Sequence, residues 1–167
     1  MKKTTLFLCL FLALSLPTGR QALGASADVY TVSHVSDGDT LVLSDGQKVR
    51  LIGVDTPEME DEGRNRRNAA YNRISAGVVN DFAFKAKQFV REQVEGRPVR
   101  LEYDWQRQDK YGRTLAYVYR QPEGTFLNAE ILRQGYGFAY LRFPFKYSEQ
   151  FRVYAQEARE AKRGLWK

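Results

Sequence analysis

Cysteine occurs once in the 167 residues, as Cys9, and histidine once, as His34. With a single thiol near the N-terminus the chain can build no internal disulfide framework, and thiolate chemistry is excluded from the rest of it. A lone histidine cannot supply a multi-imidazole metal site, and an ordinary strand or surface position accounts for it better than a ligand or a general base. Long apolar runs are missing too. The longest, residues 6–16, is about half of the ~20 residues that a membrane-spanning helix needs. No internal repeat, linker or low-complexity tract interrupts the rest.

That apolar run follows Lys2 and Lys3 and leads through Pro17 to a small-residue stretch ending Ala25-Ser26-Ala27. Basic, apolar and small-residue regions in that order are the anatomy of a secretory signal peptide, with cleavage expected near Ala27 and residues 22–25 as a second region. An uncleaved anchor is the rival reading. Leu6-Phe7-Leu8-Cys9 lacks the small residues that precede the cysteine of a lipoprotein signal. The expected mature protein, residues 28–167, is a single domain, secreted or periplasmic, without cysteine. Cleavage removes Lys2, Lys3 and Arg20 and no acid, so the formal charge of +6 falls by three. So mild an excess permits a polyanionic partner without requiring one.

What the chain does contain suits one globular domain: 43% hydrophobic, 28% charged and 13% aromatic residues, in a length that can bury a sizeable core. Residues 30–35 alternate as a strand, residues 36–39 turn, and residues 40–43 return. Asp45-Gly46 predicts a hairpin turn with positive φ, followed by a strand over residues 48–54 that Pro57 closes. Residues 60–73, dense in Glu, Arg and Asn without a sustained apolar period, read as a surface loop or a weak polar helix. Asn80 or Asp81 is expected to cap a helix running to Val94, with Gly96 as its stop. Residues 99–103 and 114–119 alternate and pair as a hairpin across a long polar connection. A short helix over 127–134, an extended piece at 139–141 and a last helix from Glu149 to about Lys162, capped by Ser148, complete the chain. The pattern predicts an α+β class dominated by a small closed or nearly closed β-barrel.

Three segments carry charge where strands end: S-D-G-D-T at residues 36–40, V-R-L-I-G-V-D-T-P-E at 49–58 and D-K-Y-G-R at 109–113. Singly, each has an ordinary explanation. Asp-Gly pairs mark turns, Asp-Thr before Pro is a common strand exit, and Arg50 and Arg113 suit solvent-facing positions. Together they resemble the staphylococcal nuclease (thermonuclease) family, through D-G-D-T at 37–40, R-L-I-G-V-D-T-P-E at 50–58 and D-K-Y-G-R-T-L-A-Y at 109–117. I-L-R-Q-G at 131–135 and G-L-W at 164–166 add to a resemblance that spans residues 30–166.

The resemblance implies an SNase-like domain, a small five-stranded OB-type β-barrel with about three helices. It also implies metal-dependent hydrolysis of phosphodiester bonds in DNA and/or RNA, typically with Ca2+. By position, Asp39 and Asp55 would be carboxylate ligands and Thr56 a main-chain carbonyl ligand, with water and a phosphate oxygen completing the shell. Glu58 matches the family's candidate general base, and Arg50 and Arg113 its two active-site arginines. Lys110 and Tyr111 match residues near the terminal phosphate and sugar. Tyr140 matches a tyrosine that packs against the base, with core packing as its alternative. Arg142 departs from the best-known members, which carry a second tyrosine there. Elementary chemistry agrees with this assignment. Ca2+ takes about 6–8 oxygen ligands, so two carboxylates and a carbonyl leave positions open for water and phosphate. A guanidinium can grip two phosphate oxygens at once, for which lysine is a poor substitute.

The leading expectation is therefore an exported, monomeric, Ca2+-dependent nuclease that leaves 3′-phosphate ends. A nonenzymatic OB-type nucleic-acid-binding module is the alternative, but such a module is expected to have lost members of the site, and Asp39, Asp55, Glu58, Arg50 and Arg113 are all present. A Ca2+-stabilised interaction domain would leave the two arginines without a role. The longer segment at 60–80 either extends a nucleic-acid track through Arg64, Arg66, Arg67 and Arg73 or is a solvated loop. Adjacent Glu60, Asp61 and Glu62 favour the loop.

Overall fold

The computed structural model describes residues 29–167, and the leader expected over residues 1–27 lies outside them. Strands β1 (Val29–Asp37), β2 (Thr40–Leu43) and β3 (Lys48–Leu51) form an antiparallel meander. Gly46 turns the second hairpin at φ 85°, a conformation that glycine adopts without strain, as the Asp45-Gly46 pair predicts.

The strand expected over 48–54 breaks after Leu51. Gly53 has φ 73°, and a Cβ there would lie 2.6 Å from the Phe145 ring, so both conformation and space require glycine. The break sends β4 (Val54–Asp55) away from the barrel to pair with β8 (Phe138–Ala139), Asp55 opposite Phe138. β5 (Pro98–Glu102) and β6 (Thr114–Arg120) are the expected second hairpin, extended by β7 (Thr125–Phe126). β5 pairs antiparallel with β1, and β6 pairs parallel with β3. The order β3-β2-β1-β5-β6 thus closes on itself as a five-stranded barrel. Closure satisfies strand edges that a small open sheet would expose.

Alternate strand residues, among them Val32, Leu41, Val49, Leu51, Val99 and Val118, fill the barrel together with Ile131 and Phe151 from the helices. Four α-helices surround it: α1 (Glu62–Asn72), α2 (Ala76–Val94), α3 (Leu127–Arg133) and α4 (Ser148–Glu160). The fourth, beyond the three expected, is α1, from the segment that favoured a loop. α2 buries Val79, Ala83, Ala86, Val90 and Val94, the 3–4 spacing of one helical face. It begins one turn before the expected cap, because the Asn80 side chain accepts a hydrogen bond from Asn65 at 3.0 Å instead of ending the helix. Ser148 likewise does not cap α4, which follows Tyr147. Among the described residues no helix is long and apolar enough to cross a membrane.

Asn128 ties the parts together. Wholly buried in α3, it accepts from the Val118 N–H at 3.0 Å and donates to the Ile52 carbonyl at 2.9 Å. The break after β3 is thereby fixed against β6, and with it the position of Asp55.

Candidate active site

The β1–β2 turn brings Asp39 against the turn that follows β4. Gly38 permits the approach: a Cβ there would sit 2.8 Å from Thr56 Oγ1. The Thr56 N–H donates to Asp39 Oδ2 at 3.0 Å, and Thr40 Oγ1 donates to Asp39 Oδ1 at 3.1 Å. Asp39 is 1% exposed and Asp55 5%. Two buried carboxylates side by side demand compensating charge. Arg50 supplies it, with Nη1 at 2.8 Å from Asp39 Oδ2 and Nη2 at 3.3 Å from Asp55 Oδ1. Nη1 also donates to the Val54 carbonyl at 2.8 Å, which explains how β3 can carry an arginine pointing into protein.

Glu58 lies three residues beyond Asp55 and is held through its main chain. Its N–H donates to Asn65 Oδ1 at 2.9 Å, and Asn65 Nδ2 donates to its carbonyl at 2.7 Å. Burial, and then the Asp39 carboxylate, pushes the Glu58 carboxyl up to about 7 against the pull of Arg64.

Arg64 belongs to the segment expected to be a solvated loop. Asp61 caps α1 by accepting from the Arg64 N–H at 2.8 Å, and the Arg64 guanidinium turns inward to pair with both Asp55 and Glu58. Burial alone would lower its pKa, but the carboxylates of Asp55, Asp39 and Glu58 outweigh that and raise it. Asn68, one turn on, donates to Asp55 Oδ2 at 2.7 Å. The inner face of α1 is therefore polar because what it covers is polar. A search for apolar period misses such a helix. The available signal was the cap at Asp61 with Arg64, Asn65 and Asn68 at helical spacing. Arg66 and Arg67 stay exposed on the outer face.

The donors suit a hard cation: two carboxylates, the Thr56 main chain and no sulfur or imidazole. Thr56 Oγ1 is buried without a hydrogen-bond partner, an oriented oxygen left over beside those carboxylates. Among the described residues, no three His, Cys, Asp or Glu side chains gather as a metal cluster, so Asp39, Asp55 and Thr56 would hold an ion only with further oxygens from water or substrate.

Arg113 arrives from the other hairpin. β3 and β6 run in register with Val49 beside Thr114 and Arg50 beside Leu115, which sets Arg113 at the barrel end next to β3. Its Nε donates to Asp109 Oδ2 at 2.7 Å, and Nη2 lies 2.7 Å from the same oxygen. Burial works to raise the Asp109 carboxyl, but the bonds from Arg113 and from the Arg113 and Tyr111 N–H groups hold it below the usual range. Lys110 and Arg113 lie over the exposed Tyr111 ring, at 4.9 and 5.6 Å from its centroid. Among the described residues, the carboxylate that Arg113 pairs with is Asp109, not Asp39, Asp55 or Glu58. Tyr140 continues from β8, its N–H donating to the Gly53 carbonyl at 2.9 Å, and it is half-buried, outside the main core cluster.

Sequence comparison places the chain among known proteins. The profile of the family described as "Staphylococcal nuclease homologue" matches residues 48–167. A thermonuclease of Staphylococcus hyicus is 34% identical over 146 residues, covering 85% of this chain and 78% of its own. A thermonuclease of Staphylococcus intermedius is 32% identical over 147 residues, covering 86% and 77%. Endonuclease YncB of Bacillus subtilis is 34% identical over 142 residues, covering 81% of this chain and 60% of its own.

Proposed function

The chain belongs to the staphylococcal nuclease homologue family, and from that premise we propose that it is a metal-dependent nuclease that hydrolyses phosphodiester bonds of DNA and/or RNA, with Ca2+ as its cation. The observation that carries this reading is the buried Asp39 and Asp55 pair, joined through Arg50, with Glu58 three residues away. Nuclease and endonuclease relatives support it.

A Ca2+ held by Asp39, Asp55 and the Thr56 carbonyl would supply positive charge to the substrate phosphate and a polarised water. Glu58 takes the proton of the attacking water, a task suited to a carboxyl that titrates near neutrality. Arg64 and the Asn65 amide hold Glu58 in place. Arg50 and Arg113 donate hydrogen bonds to the phosphoryl oxygens, whose charge grows in the five-coordinate transition state. The water oxygen bonds to phosphorus as the bond from phosphorus to the 5′ oxygen breaks, the departing oxygen takes a proton from solvent to become a 5′-hydroxyl, and a 3′-phosphate remains. Lys110 and Tyr111 hold the terminal phosphate and sugar, and Tyr140 packs against the base, a contact largely indifferent to base identity. Export after removal of residues 1–27 and action as a monomer complete the proposal.

The test is incubation of residues 28–167 with single- and double-stranded DNA and RNA, with Ca2+ and then with chelator. Cleavage that stops on chelation and yields 3′-phosphate ends is expected. No cleavage with any divalent cation would overturn the reading, and salt-sensitive binding without cleavage would favour the nonenzymatic alternative.

A further inference from the structure

Aromatic side chains continue outward from Tyr140. The Phe143 ring lies 6.1 Å from that of Tyr140 and is 61% exposed, and Trp105 is 70% exposed. Trp105 belongs to the β5–β6 connection, yet its Nε1–H donates to the Pro144 carbonyl at 3.2 Å. That bond hooks the connection onto the segment after β8 and holds the indole at the residue that follows Phe143. The core does not use these rings. Phe145, 5.4 Å from Phe151, and Tyr147, 4.7 Å from Tyr117, are the aromatic residues of this segment that turn inward.

The charge around the rings has one sign to spare. Arg142 lies over Tyr140 at 6.0 Å and Arg107 over Tyr103 at 4.5 Å. Neither pairs with a carboxylate among the described residues. The nearby carboxylates are engaged: Glu102 accepts from Lys146, Tyr119 and Tyr147, and Asp104 from Tyr117 and the Lys146 N–H. Exposed ring faces flanked by uncommitted guanidinium groups complement bases strung on phosphates, provided the bases are unpaired so that their faces can be reached. A duplex presents no such faces.

We propose that Tyr140, Phe143 and Trp105 form a ledge on which successive unpaired bases of a single-stranded nucleic acid stack, with Arg142 and Arg107 facing its phosphates. The ledge extends the base contact of the proposed active site, on which it rests, to unpaired bases beyond it. Phe143 and Trp105 serve binding and take no part in bond breaking.

The test measures binding of oligothymidylates of two and eight nucleotides, and of a duplex, to Glu58→Gln protein in Ca2+. Trp105→Ala and Phe143→Ala are each expected to weaken the eight-mer by about fivefold or more, the range of one lost base–aromatic stack, with a smaller loss for the two-mer and for the duplex. In a Trp166→Phe background, where Trp105 is the remaining tryptophan of residues 28–167, its emission should fall on addition of the eight-mer. Unchanged eight-mer affinity in both variants, or unchanged Trp105 emission, overturns the ledge while Ca2+-dependent cleavage by the unsubstituted protein keeps the site. Absence of both cleavage and oligonucleotide binding overturns the site and the ledge together.

Discussion

Arg64 of α1 is ion-paired with Glu58, and the same guanidinium reaches Asp55. A helix without an apolar face thus sets one cation between a proposed metal ligand and the proposed base. Replacing Arg64 by Ala removes positive charge from two partly buried carboxylates. A cation should then bind more tightly, by about tenfold for roughly 1.4 kcal/mol of repulsion removed, as read by calorimetric titration with Ca2+. The metal-free protein should lose about 1–2 kcal/mol. That is below the ~3–5 kcal/mol of a fully buried pair, because the Arg64 side chain is 30% exposed and Asp55 keeps Arg50 and Asn68. Weaker Ca2+ binding in Arg64→Ala would mean that the guanidinium orients the ligands more than it opposes the ion.

Glu58 should titrate near 7 in metal-free protein, where burial and then Asp39 have raised it. Carboxyl-carbon NMR of labelled protein reads this directly, and a midpoint near the ordinary 4.5 would contradict it. The sign for stability follows. Between 4.5 and about 7 the folded chain retains a proton that the unfolded chain has lost, so stability falls as pH rises through that window. Glu58→Gln cannot ionise, and its stability measured with chelator at pH 5 and pH 8 should fall less than that of the unsubstituted protein.

Asn128→Ala would leave two buried main-chain groups without partners, the Val118 N–H and the Ile52 carbonyl. At about 1–3 kcal/mol for each unsatisfied group, urea denaturation should show a loss of roughly 2–6 kcal/mol. A loss under 1 kcal/mol would mean that water replaces the amide.

Gly38→Ala brings a Cβ to 2.8 Å from Thr56 Oγ1 and 3.0 Å from its Cβ and Cγ2. Thr56 is wholly buried, so the strain should cost about 1–3 kcal/mol. Thr56→Ala removes two of the three opposing atoms, and the double variant should be less destabilised than the two single ones added together. Strict additivity would place the strain elsewhere.

The barrel was legible because its strands obey simple rules: alternation in β1, β5 and β6, an Asp-Gly turn, and glycines where the chain bends. Asp39, Arg50, Asp55, Thr56 and Glu58 were legible because charge sits where strands end, and the structure brings those five together. Arg64, Asn65 and Asn68 were not, since a helix that covers a polar site has the period of a helix without its hydrophobicity. Glu60, Asp61 and Glu62 weighed toward a solvated loop, yet Asp61 is the cap that starts the helix. The break after Leu51 was equally hidden. Periodicity carries a strand through Val54, and the exit depends on how Gly53 meets Phe145 and Phe151, residues almost a hundred positions away.

The parallel pairing of β3 with β6 joins Arg50 to Leu115 across more than sixty residues. Asp39 and Arg50 come from one local meander and can meet early, whereas Asp55, held through β8 and Asn128, and Arg113 reach the same end only after long loops have closed, a step slow by its entropy. A newly made chain would thus join Asp39 to Arg50 before Asp55 and Arg113 complete the site. Onset of hydrolysis during refolding should lag behind formation of the meander, making catalysis a clock for the final act of folding.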